Sequence, residues 1–196
     1  MILPLFPLNT VLFPGCVLDL QIFEPRYLDM IGSSMKQGTG FGVVCLMDGP
    51  EAGAGEVEHA PLGCEALVVD FNKQSNGLLG IRVVGGRRFI VKDTKLQHDQ
   101  LILGDVEFLA EATDEPLSSE EDDLVALLTA LAEHPMVAAL NMTDGGKTRQ
   151  SLANHLGYLL PFLNNDKLRL LNMDDPQKRL DEIQALLDEL QGELFD

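Results

Sequence analysis

Apolar positions run from Met1 to Leu18 before the first charge, Asp19, and Pro4, Pro7 and Pro14 cut the run into short pieces that no helix can follow. The stretch therefore reads as extended chain. Val11–Phe13 and Val17–Ile22 are expected as strands joined by a turn at Pro14-Gly15, with Leu18, Leu20 and Ile22 on one face and Asp19 and Gln21 on the other. Pro25 then opens a helix whose apolar stripe is Tyr27, Leu28, Ile31 and Met35, and Gly38 and Gly40 end it. A continuous apolar strand over Phe41–Met47 follows, then a loop rich in Gly and Pro from Asp48 to Gly55.

"GCEALVVDF", "GLLGIRVVG", "RRFIVKDT" and "LILGDVEFLA" come next at hairpin spacing. Turns are expected at Asn72–Gly77 and at Gly85-Gly86. Antiparallel strands with one early helix predict a small, partly closed β-barrel. From Ser118 the period changes to that of a helix. Ser118 with Glu121 forms a capping box, acids crowd the first turn, and Leu124, Leu127, Leu128 and Leu131 share a face up to Pro135. "TRQSLANHLGYLLPF" is a further helix. "DDPQKRLDEIQALLDELQ" is the last, with Asp175 as N-cap, Pro176 at the first turn, and a stripe of Leu180, Ile183, Leu187 and Leu190 that is too short for a coiled-coil seam and suits a bundle. The pattern thus predicts an α+β chain, with a β domain over 1–115, a helical subdomain over 116–196, and the break within Thr113–Ser119.

Composition narrows the class. With 196 residues and 45% hydrophobic content the chain has ample material for a core. The opening segment has neither the basic start nor the unbroken apolar run of an export signal, and no window is long and apolar enough to predict a membrane span. The net charge of −17 argues against nucleic acid and against anionic membranes as partners. Basic residues are absent from Leu96 to Gly146, whereas Arg82, Arg87, Arg88, Lys92 and Lys95 cluster just before and read as a solvated sheet face. Cys16, Cys45 and Cys64 each sit in apolar sequence without a CxxC pair, as expected of buried thiols in a reducing cytoplasm.

Candidate chemistry is sparse. There is no GxxxxGK[ST] loop, and "DGGKT" at Asp144–Thr148 lacks the leading glycine and reads as a helix-start loop. His59, His98, His134 and His155 lack metal-site spacing, and no GxSxG elbow is present. The expectation is a protein without catalytic machinery or cofactor.

"LPLFPLNTVLFPGCVLDLQIFEPRY" resembles the start of the Lon protease N-terminal domain, in which LPL is followed by FPG and then by a strand leading into a helix. "LGCEALV" (Leu62–Val68) is similar to that domain's G-T-x-A strand, with Cys64 where threonine is common, and "VVGGRRFIV" (Val83–Val91) to its G-x-x-R-F/V segment. The resemblance covers about residues 1–110, and "IFEPRY" with "FGVV" is especially like the stand-alone bacterial members. It implies a PUA-like β pseudo-barrel followed by a helical subdomain, and a substrate-recognition role without the ATPase and peptidase domains. The partners implied are unfolded or extended protein segments, or a protease or other protein acting with it. Strand alternation places Arg88 opposite Arg87 and Phe89, and Phe6, Arg87 and Phe89 are the expected lining of a peptide groove near "PLFP". A small-molecule sensor and a cryptic hydrolase using the barrel groove are the alternatives.

Overall fold

A computed structural model describes residues 1–50, 53, 57–142 and 146–193. The Asp48–Gly55 loop and the "DGGKT" loop fall partly outside the described residues. The chain divides into two compact units, Met1–Leu109 and Ala110–Asp196.

The first unit contains β1 (Ile2–Leu8), β2 (Val17–Ile22), α1 (Pro25–Gln37), β3 (Phe41–Asp48), β4 (Glu58–Lys73), β5 (Leu79–Leu96) and β6 (Ile102–Phe108). The sheet order is β2-β5-β4-β3-β1-β6, and β6 also pairs with β5, so every strand but β2 belongs to a closed ring. The ring is uneven. Residues 58–66 of β4 pair with β3, whereas 66–73 extend beyond it with 79–85 of β5, and β2 pairs with the same part of β5 to make a projecting three-stranded flap.

The opening strand is Ile2–Leu8, and Val11–Phe13, expected as a strand, is buried irregular chain instead. Two prolines are tolerated in β1 because each lies where the strand has a ladder partner on one side only: Pro4 beside β6, Pro7 beside β3. The turn at Pro14-Gly15 forms as expected, closed by Cys16 N–H donating to Phe13 C=O at 3.1 Å, with Gly15 at φ 77°. Gly85-Gly86 is not a turn. β5 runs straight through it, and the corner at 13–16 docks there through Gly15 N–H to Gly85 C=O (2.8 Å) and Gly85 N–H to Cys16 C=O (2.9 Å). A Cβ on Gly85 would lie 2.0 Å from the Phe13 carbonyl oxygen, so this glycine serves close approach. The Asn72–Gly77 turn does form, with Gln74 N–H bonded to Leu78 C=O.

Helix α1 starts at Pro25 and ends at Gly38, but its buried face is Tyr27, Met30, Ile31 and Ser34. Leu28 and Met35, expected inside, are exposed.

The second unit contains a 3-10 turn (Ser119–Glu121) and helices α2 (Asp122–Ala132), α3 (Pro135–Ala138), α4 (Arg149–Leu159), α5 (Asn164–Asn172) and α6 (Pro176–Glu193). The Ser118–Glu121 capping box is complete. Thr148 caps α4 through Ser151 N–H (3.2 Å), and Asp175 accepts from Gln177 N–H at 2.9 Å at the head of α6. Helix α4 is the centre of this unit: Leu152, Ala153, Asn154, His155, Leu156 and Gly157 are all buried. The fully buried guanidinium of Arg179 on α6 donates to the Asn154 side chain and to Met173 C=O. Helix α5 is polar and short, buries only Leu170 and Leu171, and had no clear apolar period to announce it. Residues 110–116 belong with the helices, ahead of the boundary read at 115/116. Gln150 binds Glu111 (2.8 Å), Arg149 binds Glu115 (2.6 Å), and Pro116 bridges to Thr148.

Candidate functional site

The residues expected to line a groove are separated by burial. Phe6 is 7% exposed and stacks on Tyr27 of α1, ring centroids 3.9 Å apart, which ties β1 to the helix. Phe89 is fully buried among Leu3, Leu5, Val44 and Val106. Its ring occupies the space over Gly42 and Gly63, where an added Cβ would lie 2.7 and 2.5 Å from the ring tip. The ring of strands is filled by these side chains. Neither phenylalanine lines an exposed groove, because each is what closes the core.

Arg87 is on the surface, side chain 57% exposed, with its Nε 3.2 Å from Glu65 Oε2 and its guanidinium 3.7 Å from the Phe108 ring centre. Arg88 is fully buried, so the basic cluster is not uniformly a solvated face. The register slips between Cys64/Arg88 and Ala66/Gly85, with one extra residue on β5; beyond the slip Arg88 pairs with Cys64 and Phe89 with Gly63, so the two lie on opposite faces of the strand and both are buried, while Arg87 beside the slip is exposed.

A different surface is open. Beyond Ala66, β4 pairs with β5 on one side, and among the described residues no strand pairs with its other edge. Leu67, Val69 and Phe71 on this stretch are 41%, 57% and 58% exposed. A second register slip between Val68 and Asp70 makes Val69 a bulge, so Leu67 lies across from Val84 on one face and Phe71 across from Ile81 on the other. Asp70, on the Leu67 face, is level with Arg82 and Asp19 across the flap. Arg82 donates to both Asp19 carboxylate oxygens (2.7 and 2.8 Å), which holds that carboxyl below its ordinary range against the opposing effect of burial. The bulge and the charges at Asp70 and Lys73 limit edge-to-edge aggregation, yet the strand keeps unpaired backbone and apolar side chains toward solvent.

Nucleophilic and metal chemistry find little here. Burial pushes the Cys45 thiol up from its usual value, away from the reactive thiolate. Cys16, Cys45 and Cys64 are free and buried, and among the described residues no cluster of His, Cys, Asp or Glu has the arrangement of a metal site.

Residues 2–189 match the family model of the ATP-dependent protease La (Lon) substrate-binding domain. The chain belongs to the Lon substrate-binding domain family. It is similar to the Lon N-terminal domain protein from Xanthomonas campestris, at 31% identity over 94% of this chain and 98% of that one, with a TM-score of 0.76. The N-terminal domain of Mycobacterium avium complex Lon protease shares the fold at 20% identity and a TM-score of 0.59, over 96% of this chain and 97% of that one. No curated protein matches the chain. Among the described residues no helix is long and apolar enough to cross a membrane.

In this Lon-type domain, sequence reasoning found the strand "GCEALVVDF" but not its exposed edge. One signal was present: the apolar run continues through Leu67, Val68, Val69 and Phe71, longer than a strand buried on one face requires.

Proposed function

We propose that this domain is a non-catalytic binding module that takes up extended or unfolded protein segments by strand addition along the outer half of β4. The observation that carries this reading is the unpaired edge with exposed Leu67, Val69 and Phe71. Main-chain hydrogen bonds to such an edge supply affinity for any extended segment, and side chains alternating onto both faces meet Leu67 on one and Phe71 on the other. Membership of the substrate-binding family supports the same role. Arg87, held beside Glu65 two residues before Leu67, meets the acidic flank of a bound segment. The module serves as an adaptor or weak holdase, acting alone or with a protease. The charge of −17 disfavours nucleic acid and anionic membranes, and buried free thiols suit a reducing cytoplasm.

The test is fluorescence anisotropy with a labelled, permanently unfolded chain, read against Val69→Asp and Phe71→Asp, both exposed positions whose folding is checked by circular dichroism. The expected dissociation constant is about micromolar, and the paired substitution weakens it by roughly tenfold or more. Undiminished binding by the folded double variant removes the β4 edge as the site.

A further inference from the structure

Within the helical unit, α2, α3 and α4 enclose a cavity of about 370 Å³. Its walls are Val125, Leu128, Ala132, Val137 and Leu159, and the buried ring of His155 lies at its base. The size falls in the range of pockets that receive a ligand or an anchoring side chain. Thr129, Ala132, Ala138 and Asn141, which also line it, are exposed, so the cavity opens to solvent.

Two features of the surrounding helices go with this opening. Helix α2 buries only Leu128, leaving Leu124, Val125, Leu127 and Leu131 half-buried, and α3 buries nothing while Met136 is 77% exposed. These helices keep an apolar surface that the described residues do not cover. The rim is acidic. Asp122 is one turn before the lining residue Val125, Glu133 is one turn after the lining residue Thr129, and Glu120 and Asp123 are exposed nearby on the same segment. No lysine or arginine occurs between Leu96 and Gly146, and Lys147 is the first.

We propose that this cavity is a second docking site, taking a peptide segment in which an apolar anchor, leucine- or phenylalanine-like, is flanked by lysine or arginine. The apolar walls desolvate the anchor, and the acidic rim both speeds the encounter with a cationic segment and rejects an acidic one. Charge complementarity selects this occupant over a second copy of the chain, which carries the same −17. The site goes beyond strand addition at β4, which selects extended backbone rather than charge.

The experiment uses two labelled peptides with the same Leu-Phe centre bracketed by prolines, which cannot extend the β4 ladder, one flanked by lysines and one by glutamates, titrated onto the full chain. The lysine peptide is expected to bind at about 10 µM and the glutamate peptide at least tenfold more weakly, with the difference shrinking as salt rises from about 0.05 to about 0.5 M. Ala132→Phe, which fills the mouth from an exposed position, abolishes binding of the lysine peptide; Glu133→Lys, a surface charge reversal that keeps the measurement decisive if the first variant misfolds, weakens it severalfold. Phe71→Asp leaves it unchanged. Equal affinity for both peptides, or undiminished binding by Glu133→Lys, overturns the proposal. Loss of lysine-peptide binding in Phe71→Asp also overturns it, and assigns the peptide to the β4 edge. Failure of the unfolded chain to bind, with lysine-peptide selectivity intact, overturns strand addition alone.

Discussion

The β unit and the α2–α3 part of the helical unit are both rich in apolar residues, yet they use them in opposite ways. In the ring of strands, Leu5, Val44 and Phe89 have no exposure at all, and glycines at 42 and 63 make room for the Phe89 ring. Along α2, a run of four leucines buries one. The difference follows from closure. A ring of strands encloses its inner face, so each inward side chain is packed from several directions, whereas a helix at the margin of a bundle has neighbours on one flank only. Apolar surface left unpacked inside the closed ring is a defect, whereas at the margin of a bundle it is surface open to a partner.

The sharpest way to break this contrast is Phe89→Ala. It opens a void over Gly42 and Gly63 and is expected to cost about 4 kcal/mol, seen as a large fall in the urea midpoint. Leu127→Ala on α2 should cost under about 1 kcal/mol in the same assay. Comparable losses at the two positions would show that α2 is as tightly packed as the ring.

Next in size is Gly85→Ala. The new methyl meets the Phe13 carbonyl and forces the 13–16 corner off β5, at an expected cost of about 3 kcal/mol. A near-neutral result would mean that the corner shifts freely, and that the docking of 13–16 contributes little to the barrel.

The smallest effect sharpens the helical side. Ser118→Ala removes the hydroxyl half of the capping box and is expected to cost about 1 kcal/mol. Burial works against the Glu121 carboxylate, but hydrogen bonds from the Ser118 backbone N–H and hydroxyl, together with Arg149, outweigh it and hold the carboxyl below the usual glutamate range. A group with a depressed folded pKa contributes stability above its unfolded pKa and loses it as pH falls through the folded value. Helical-unit stability should therefore decline with acid through and below the ordinary glutamate range. Glu121→Gln should flatten that decline, as followed by the urea midpoint against pH. An unchanged slope would locate the acid sensitivity in other carboxylates.

Most local features were legible because their causes are local. The turn at Pro14-Gly15, the start of α1 at Pro25, the Ser118–Glu121 box and the Asp175 cap each depend on residues within a few positions of one another. The candidate site was less legible. The placement implied by the resemblance made Phe6 and Phe89 the expected lining of a groove, but whether an apolar side chain faces core or solvent depends on which strand lies across from it.

By itself, the sequence determined the succession of strands then helices, the family motifs, the acidic charge, and the helix caps, since each is written in neighbouring residues or in composition. Tertiary structure alone decided that Gly85-Gly86 lies within a continuous strand, that Arg88 is buried while Arg87 is exposed, that β4 outruns its partner and leaves an edge, and that α2 buries one leucine of its stripe. Those outcomes come from the register and closure of strands far apart in the chain, and no local period encodes which distant backbone will arrive beside a given residue.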